Sequence, residues 1–172
     1  MKELMVHTGR FVDPLNLTAD DIDIEDIAHA LAHTCRYGGH CSRFYSVAEH
    51  CVILSHLVAE EFAIYALLHD AYEAYSSDVP DPVKSKLTAY QQAENEGLAV
   101  ILDKWGLVPY ILPNIKKADK RLMLNESAEL MPRPFTHKHL YPYNSDEIPP
   151  IIGLTPAEAK ESFLNRFIAL LG

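Results

Sequence analysis

An apolar run interrupted by a histidine and an aspartate is the feature that most constrains how this chain can fold. Residues 62–71 are predominantly apolar apart from His69 and Asp70. At helical spacing, His69, Asp70 and Glu73 share one face of this segment, and the other faces are apolar, which indicates a buried helix. Burying charged groups in such a helix costs folding free energy unless the groups are paired or bind a cation. The pattern therefore favours a metal ion in the interior.

Length and charge restrict the class of protein further. The 172 residues suffice for one domain with a sizeable core, and 48% apolar with 23% charged residues is typical of globular proteins. The formal net charge of −9 argues against a nucleic-acid polymer or a membrane surface as partner, because both require a basic face. Three cysteines without a C-x-x-C pair, and no apolar leader or membrane span, predict a cytoplasmic protein.

Helical periodicity accounts for most of the chain, so the predicted fold class is all-α. The predicted helices cover residues 22–35, about 46–60, the apolar run to about 75–77, 88–105, 115–131 and 155–171. Capping boxes predict two of the starts, one at Ser46 with Glu49 and one at Thr155 with Glu158.

Three stretches are predicted to be non-helical. Asp78–Pro82 contains two prolines, each of which restricts the residue before it. Residues 1–22 are predicted to be an irregular arm. The aperiodic segment 132–152, rich in Pro and Tyr, is long for a connection inside a compact domain. It is predicted to be a lid, an oligomer contact or a short element that the pattern does not reveal.

Two further polar side chains lie on the apolar stripes of predicted helices. Considered separately, His50 and Asp119 are most simply explained as core residues whose hydrogen bonds are satisfied within the protein. Asp119 can, for example, pair with a neighbouring lysine. Together with His69 and Asp70 they form a nitrogen and oxygen donor set from three helices. Such a set suits one divalent transition ion (Mn, Co, Fe, Ni or Zn) with positions open for water or substrate.

The H…HD…D order of these residues resembles the signature of the HD-domain metal-dependent phosphohydrolases. The resemblance covers about residues 30–125 and includes the segments SVAEH at 46–50, LLHDAYE at 67–73, DVPDPVK at 78–84 and KAD at 117–119. It extends to the bacterial 5′-deoxynucleotidases and, in size and in the RYGGH segment at 36–40, to small phage-type enzymes that hydrolyse dATP. It implies a compact helical bundle over residues 1–172 whose metal ligands are His50, His69, Asp70 and Asp119.

The resemblance also implies roles for three residues near the metal. Glu73 would handle the proton of the attacking water or of the leaving oxygen. Asp78 would bind the sugar, and Pro82 would help to hold the following loop rigid near the base. Taken on the residues alone, Glu73 can equally be a solvated helix carboxylate and Asp78 part of an ordinary turn.

Basic and aromatic residues are candidates for the substrate contacts. Phosphate needs positive charge, and the guanidinium of Arg36, next to the glycine pair, suits it best. Tyr37 can stack on a base, although a tyrosine in a loop more often packs against the protein. The weaker candidates for substrate binding are His40, Arg43, Lys84 and either Lys116 or Lys117.

The expected function is hydrolysis of a 2′-deoxynucleotide at its 5′ α-phosphate, with dATP preferred and deoxyadenosine and triphosphate released. The alternatives are a 5′-deoxynucleotidase acting on monophosphates, a phosphodiesterase acting on a cyclic nucleotide, and a nucleotide-binding HD protein without turnover. The resemblance further suggests a homo-oligomer and, if the protein is phage-encoded, a location in the host cytoplasm.

Overall fold

Helices dominate the structure and confirm the predicted all-α class. The computed structural model describes residues 3–108 and 113–172. The helices are α1 (Ile24–His33), α2 (Val47–His56), α3 (Glu60–Leu68), α4 (Glu73–Ser76), α5 (Asp81–Lys84), α6 (Thr88–Asp103), α7 (Pro113–Leu130) and α8 (Pro156–Leu171). Within the described ranges, none of them combines the length and the apolar character needed to traverse a lipid bilayer.

The amino-terminal arm is more regular than the sequence predicted. Strands β1 (Leu4–Met5) and β2 (Phe11–Val12) form a short antiparallel hairpin. A 3₁₀ turn follows at Ala19–Asp21 and leads into α1. Segment 132–152, in contrast, contains no α-helix or strand and only a 3₁₀ turn at Ser145–Glu147. The side chain of Asn125 on α7 holds this segment by pairing with the backbone of Tyr143 at 2.8 and 2.9 Å.

The two predicted capping boxes have different outcomes. Thr155 begins α8 with the complete reciprocal box, since the Glu158 carboxylate accepts the Thr155 amide at 2.9 Å. The Ser46 hydroxyl accepts the Glu49 amide at 3.1 Å, so this half of the second box is confirmed. The other half is wrong: the Glu49 carboxylate instead accepts three successive amides, at 2.8 to 3.0 Å, from residues 152–154. The Glu49 carboxylate thus binds backbone amides that are distant in sequence instead of the nearby amide of Ser46.

The prediction of one helix through His69 and Asp70 is wrong. Helix α3 ends at Leu68, and the chain tightens into i→i+3 hydrogen bonds before α4 begins. The Ala71 amide donates to the Leu68 carbonyl at 3.0 Å, and the Glu73 amide to the Asp70 carbonyl at 2.9 Å. Such a tightened turn within a helical stretch is common at functional sites.

The predicted break at Asp78–Pro82 is correct only in its first half. Helix α5 begins at Asp81, and Pro82 lies in its first turn. Proline is tolerated there because the amide it lacks would have no partner within the helix.

The core brings together the helices that carry the candidate ligands. One cluster of buried side chains joins α2, α3 and α7 through residues such as Leu54, Ala66 and Leu122. A larger cluster joins α1, α2, α3, α6 and α8, with Phe163 fully buried. Helix α6 packs directly against Tyr72 at Gly97, where a Cβ atom would overlap the Tyr72 ring.

Candidate metal centre and adjoining cavity

Four side chains from three parts of the chain converge at one point. The potential ligand atoms of His50 on α2, His69 after α3 and Asp119 on α7 lie within 4.8 Å of one another. His50 Nε2 is 3.3 Å from Asp119 Oδ1. Asp70 Oδ2 is 3.1 Å from His69 Nε2 and 3.9 Å from His50 Nε2. The two imidazoles and the Asp119 carboxylate can therefore hold one cation, and the Asp70 carboxylate lies beside both imidazoles.

Hydrogen bonds on the far side of each imidazole orient both rings. His69 Nδ1 is 2.8 Å from the Ala66 carbonyl, to which it donates its hydrogen. His50 Nδ1 is 2.6 Å from the Glu126 carboxylate. His50 Nε2 is buried and has no hydrogen-bond partner. A buried polar atom without a partner is costly, and metal-binding histidines typically donate their second ring hydrogen in this way.

Both carboxylates are ionised in this environment. Burial alone would raise the pKa of Asp70, but the His69 ring, His50 and Arg36 hold that pKa well below its usual range. Burial likewise opposes ionisation of Asp119, but the close approach of His50 outweighs it and lowers the pKa of Asp119. Two anionic oxygens and two imidazoles match the donor set of a divalent transition ion.

A second group of potential ligands includes a cysteine. Cys51 Sγ lies 3.9 Å from His69 Nδ1, and Asp70 completes the group. Burial raises the pKa of the Cys51 thiol to about 11, so forming the thiolate that binds a metal is less favourable here than for an exposed cysteine. In addition, His69 Nδ1 already donates to Ala66. The group with Asp119 is therefore the better metal site.

A cavity of about 730 Å³ adjoins this centre. His50 is buried behind the cavity wall, while the other three potential ligands line it. The structure also brings to this wall most of the residues predicted from the sequence, which are Arg36, Tyr37, His40, Glu73, Asp78, Pro82, Lys84 and Lys116. Residues that the sequence analysis did not select complete the wall, among them Asn95, Lys120, Met123 and Phe135.

Arg43 is placed elsewhere. Its guanidinium pairs with Glu129 and donates to the Ile151 carbonyl at 2.6 Å and to the Ile152 carbonyl at 3.3 Å. It does not belong to the described wall of the cavity. Its contacts attach the chain before α8 to the loop that follows α1.

Glu73 is buried rather than solvated. Its side chain is 5% exposed, Oε1 lies 3.6 Å from the Lys84 ammonium, and Oε2 has no hydrogen-bond partner. Burial, reinforced by the charges of Asp70 and Asp78, raises the pKa of Glu73 to about 9. A carboxyl group that holds a proton near neutral pH beside a metal centre suits general acid–base chemistry.

We expect Glu73→Gln to stabilise the metal-free protein in a pH-dependent manner. Because the folded-state pKa lies near 9 and the ordinary value is 4.5, the contribution of Glu73 to stability is complete below about pH 4.5 and is lost as the pH rises towards 9. Glutamine stays neutral and avoids this loss. Urea unfolding with a chelator should show the variant more stable by roughly 1 to 3 kcal/mol at pH 8.

The difference from wild type should shrink towards pH 5. The control is Glu61→Gln, at an exposed position on α3, which should leave the pH dependence of stability unchanged. A stability gain of equal size at both pH values would show that ionisation of Glu73 is not its cause.

The cations of the cavity fall into two groups. Arg36 lies 3.2 Å from Glu126 and 3.7 Å from Asp70, and Lys84 lies 2.6 Å from Glu94, so both are already paired. Lys116 and Lys120 are exposed on α7, and neither pairs with an acidic residue in the part of the chain that the structure describes. These two lysines are therefore the unpaired cations of the described cavity wall.

Glu126 is a further residue of the candidate metal centre that sequence reasoning missed. It is fully buried on α7 and bonds to His50. A signal was present, because Leu122, Glu126 and Leu130 recur at intervals of four and form a buried stripe. A glutamate on such a stripe requires a partner, just as Asp119 does.

Fold and site together define an all-helical protein with a candidate divalent-metal centre beside a cavity of ligand size. No family model matches the chain. It is 40% identical to the uncharacterized protein YfdR of Escherichia coli over 158 residues, which are 91% of this chain and 88% of that protein. It is also 39% identical to an uncharacterized protein of Rhodobacter capsulatus over 124 residues, 66% of this chain and 63% of that one. The chain belongs to the same family as YfdR.

Proposed function

We propose that this protein is a metal-dependent phosphohydrolase of the HD-domain type that cleaves 2′-deoxynucleotides at the 5′ α-phosphate. The observation that carries the proposal is the convergence of His50, His69 and Asp119 with Asp70 at the wall of a cavity of about 730 Å³. This volume lies within the range of about 300 to 1,000 Å³ that is typical of small-molecule sites.

The residues around the centre divide the chemistry among them. A divalent ion held by His50, His69 and Asp119 with Asp70 would lower the pKa of a water molecule and polarise a phosphoryl oxygen. The Glu73 carboxyl holds or accepts the proton at Oε2, which has no other partner. The Arg36 guanidinium, next to Asp70, offsets negative charge on the phosphate during the reaction. Asp78 lines the cavity and accepts a hydrogen bond from the sugar.

The two unpaired lysines favour a triphosphate over a monophosphate. With a net charge of −9, the protein as a whole repels a nucleotide, so attraction depends on local cations. Lys116 and Lys120 add two such charges on the side of Asp119, beyond the paired Arg36 and Lys84. The preference for dATP, with deoxyadenosine and triphosphate as products, rests on the resemblance of the RYGGH segment at 36–40 to small phage-type enzymes that hydrolyse dATP.

The test is product analysis with purified protein and Co²⁺ or Mn²⁺. We expect dATP to yield deoxyadenosine and triphosphate, and a chelator to abolish the reaction. Release of phosphate from dAMP, without action on dATP, would instead establish a 5′-deoxynucleotidase. Hydrolysis of cyclic AMP alone would establish a phosphodiesterase, and binding of nucleotides without any hydrolysis would establish a binding protein.

Lysine variants on α7 test the triphosphate contact separately. Lys116→Ala and Lys120→Ala should each raise KM for dATP roughly 3- to 30-fold, the effect of losing one charge-assisted contact. Lys117→Ala is the matched control, because Lys117 is exposed on the same helix but does not line the cavity. An equal effect of all three variants would contradict a specific contact.

A further inference from the structure

Glu126 is a buried anion with a complete set of hydrogen-bond donors. Oε1 accepts from Tyr45 at 2.7 Å and from His50 at 2.6 Å. Oε2 accepts from Tyr37 at 2.6 Å and from Arg36 at 3.2 Å. A carboxylate has about four acceptor positions, and four donors fill them here. No part of this carboxylate is left to contact a substrate.

Oε1 of Glu126 determines which ring nitrogen of His50 carries the hydrogen. Because the carboxylate accepts the hydrogen of His50 Nδ1, the lone pair of the neutral ring is placed on Nε2, which points towards Asp119 at 3.3 Å. A carboxylate that orients a ligating histidine in this way also increases the basicity of its free nitrogen.

Oε2 of Glu126 holds the loop that carries Arg36, whose guanidinium lines the cavity. Tyr37 has a left-handed backbone, with φ of 57°, in the turn Arg36–Gly39. This conformation is unfavourable for a residue other than glycine, and the hydrogen bond from its hydroxyl to Glu126 helps to maintain it. In the same arrangement, Arg36 bridges Glu126 and the metal ligand Asp70.

We propose that Glu126 is the positioning residue of the metal centre, which sets the tautomer of His50 through one oxygen and fixes Arg36 against Asp70 through the other. It acts through these residues and contacts neither metal nor substrate. This inference rests on the metal site of the proposed function, but it is independent of which nucleotide is hydrolysed.

Metal binding provides the test, read from the visible absorption of Co²⁺ during titration of the full chain. We expect Glu126→Gln to weaken Co²⁺ binding by roughly 10- to 100-fold. Glu126→Asp keeps the buried charge opposite Arg36 but withdraws the oxygen from Nδ1, so its affinity should fall between those of wild type and Glu126→Gln. Tyr45→Phe is the matched control, because it removes a donor from the same oxygen and leaves the carboxylate on His50.

The wild-type protein allows a second measurement that needs no variant. Nitrogen-15 NMR of the histidine rings in the metal-free and Zn²⁺-loaded protein should show that His50 Nδ1 keeps its hydrogen when Zn²⁺ is bound. A His50 ring with the hydrogen on Nε2 in the loaded protein would overturn the inference, as would Co²⁺ affinities of both Glu126 variants within threefold of wild type. If the wild-type protein binds no divalent ion, the metal centre itself is wrong, and the proposed function fails with it.

Discussion

Asp70→Asn should abolish tight binding of the divalent ion and lower the rate of nucleotide hydrolysis by roughly 10³-fold or more. Asp70 Oδ2 lies within 3.9 Å of the Nε2 atoms of both His50 and His69, and its ionised carboxylate supplies half of the negative charge among the four candidate ligands. Asparagine keeps the shape and loses the charge. The measurements are Co²⁺ titration and initial rates on dATP.

The control for this variant is Asp103→Asn, an exposed carboxylate at the end of α6 that does not line the cavity. It should retain both metal affinity and activity. The far-ultraviolet circular dichroism of Asp70→Asn should stay helical, because the turn around Asp70 is held by backbone hydrogen bonds. Retention of wild-type Co²⁺ affinity by Asp70→Asn would refute the four-ligand site.

Glu73→Gln should lower kcat by roughly 10²- to 10⁴-fold, the range expected for loss of a general acid or base, while Co²⁺ affinity changes by less than about threefold. The reason is that the amide cannot exchange the proton that the carboxyl group holds at Oε2. Rates at saturating dATP, measured together with Co²⁺ titrations, separate these effects. The same variant should gain stability when metal-free, a trade-off between stability and activity that is common at active sites.

Glu61→Gln serves again as the control, since Glu61 is exposed on α3 and should affect neither quantity. If Glu73→Gln loses metal affinity and activity in parallel, Glu73 is part of the ion's support rather than the proton-handling group. Full activity of the variant would remove Glu73 from the reaction.

Local periodicity predicted most of the helices, because the burial of an apolar stripe depends on nearby residues. Helix α8 shows this well: the box at Thr155, the proline after it and the buried Phe163 follow the pattern directly. The prediction failed at His69 and at Asp81, where helices end or begin according to hydrogen bonds that spacing does not reveal. The same reason explains Glu49, whose carboxylate accepts hydrogen bonds from backbone amides about a hundred residues away rather than from the expected local amide.

The sequence by itself determined the all-α class, the apolar stripes and the presence of polar side chains that need partners inside the protein. It also singled out His50, His69, Asp70 and Asp119, because charged and imidazole groups among buried residues are costly to leave unpaired. Only the tertiary structure decided that their atoms meet, that Arg43 turns away and that Glu126 binds His50 and Tyr45. Those partners are separated by 76 and 81 residues, and contacts over such distances depend on how helices pack rather than on any local pattern.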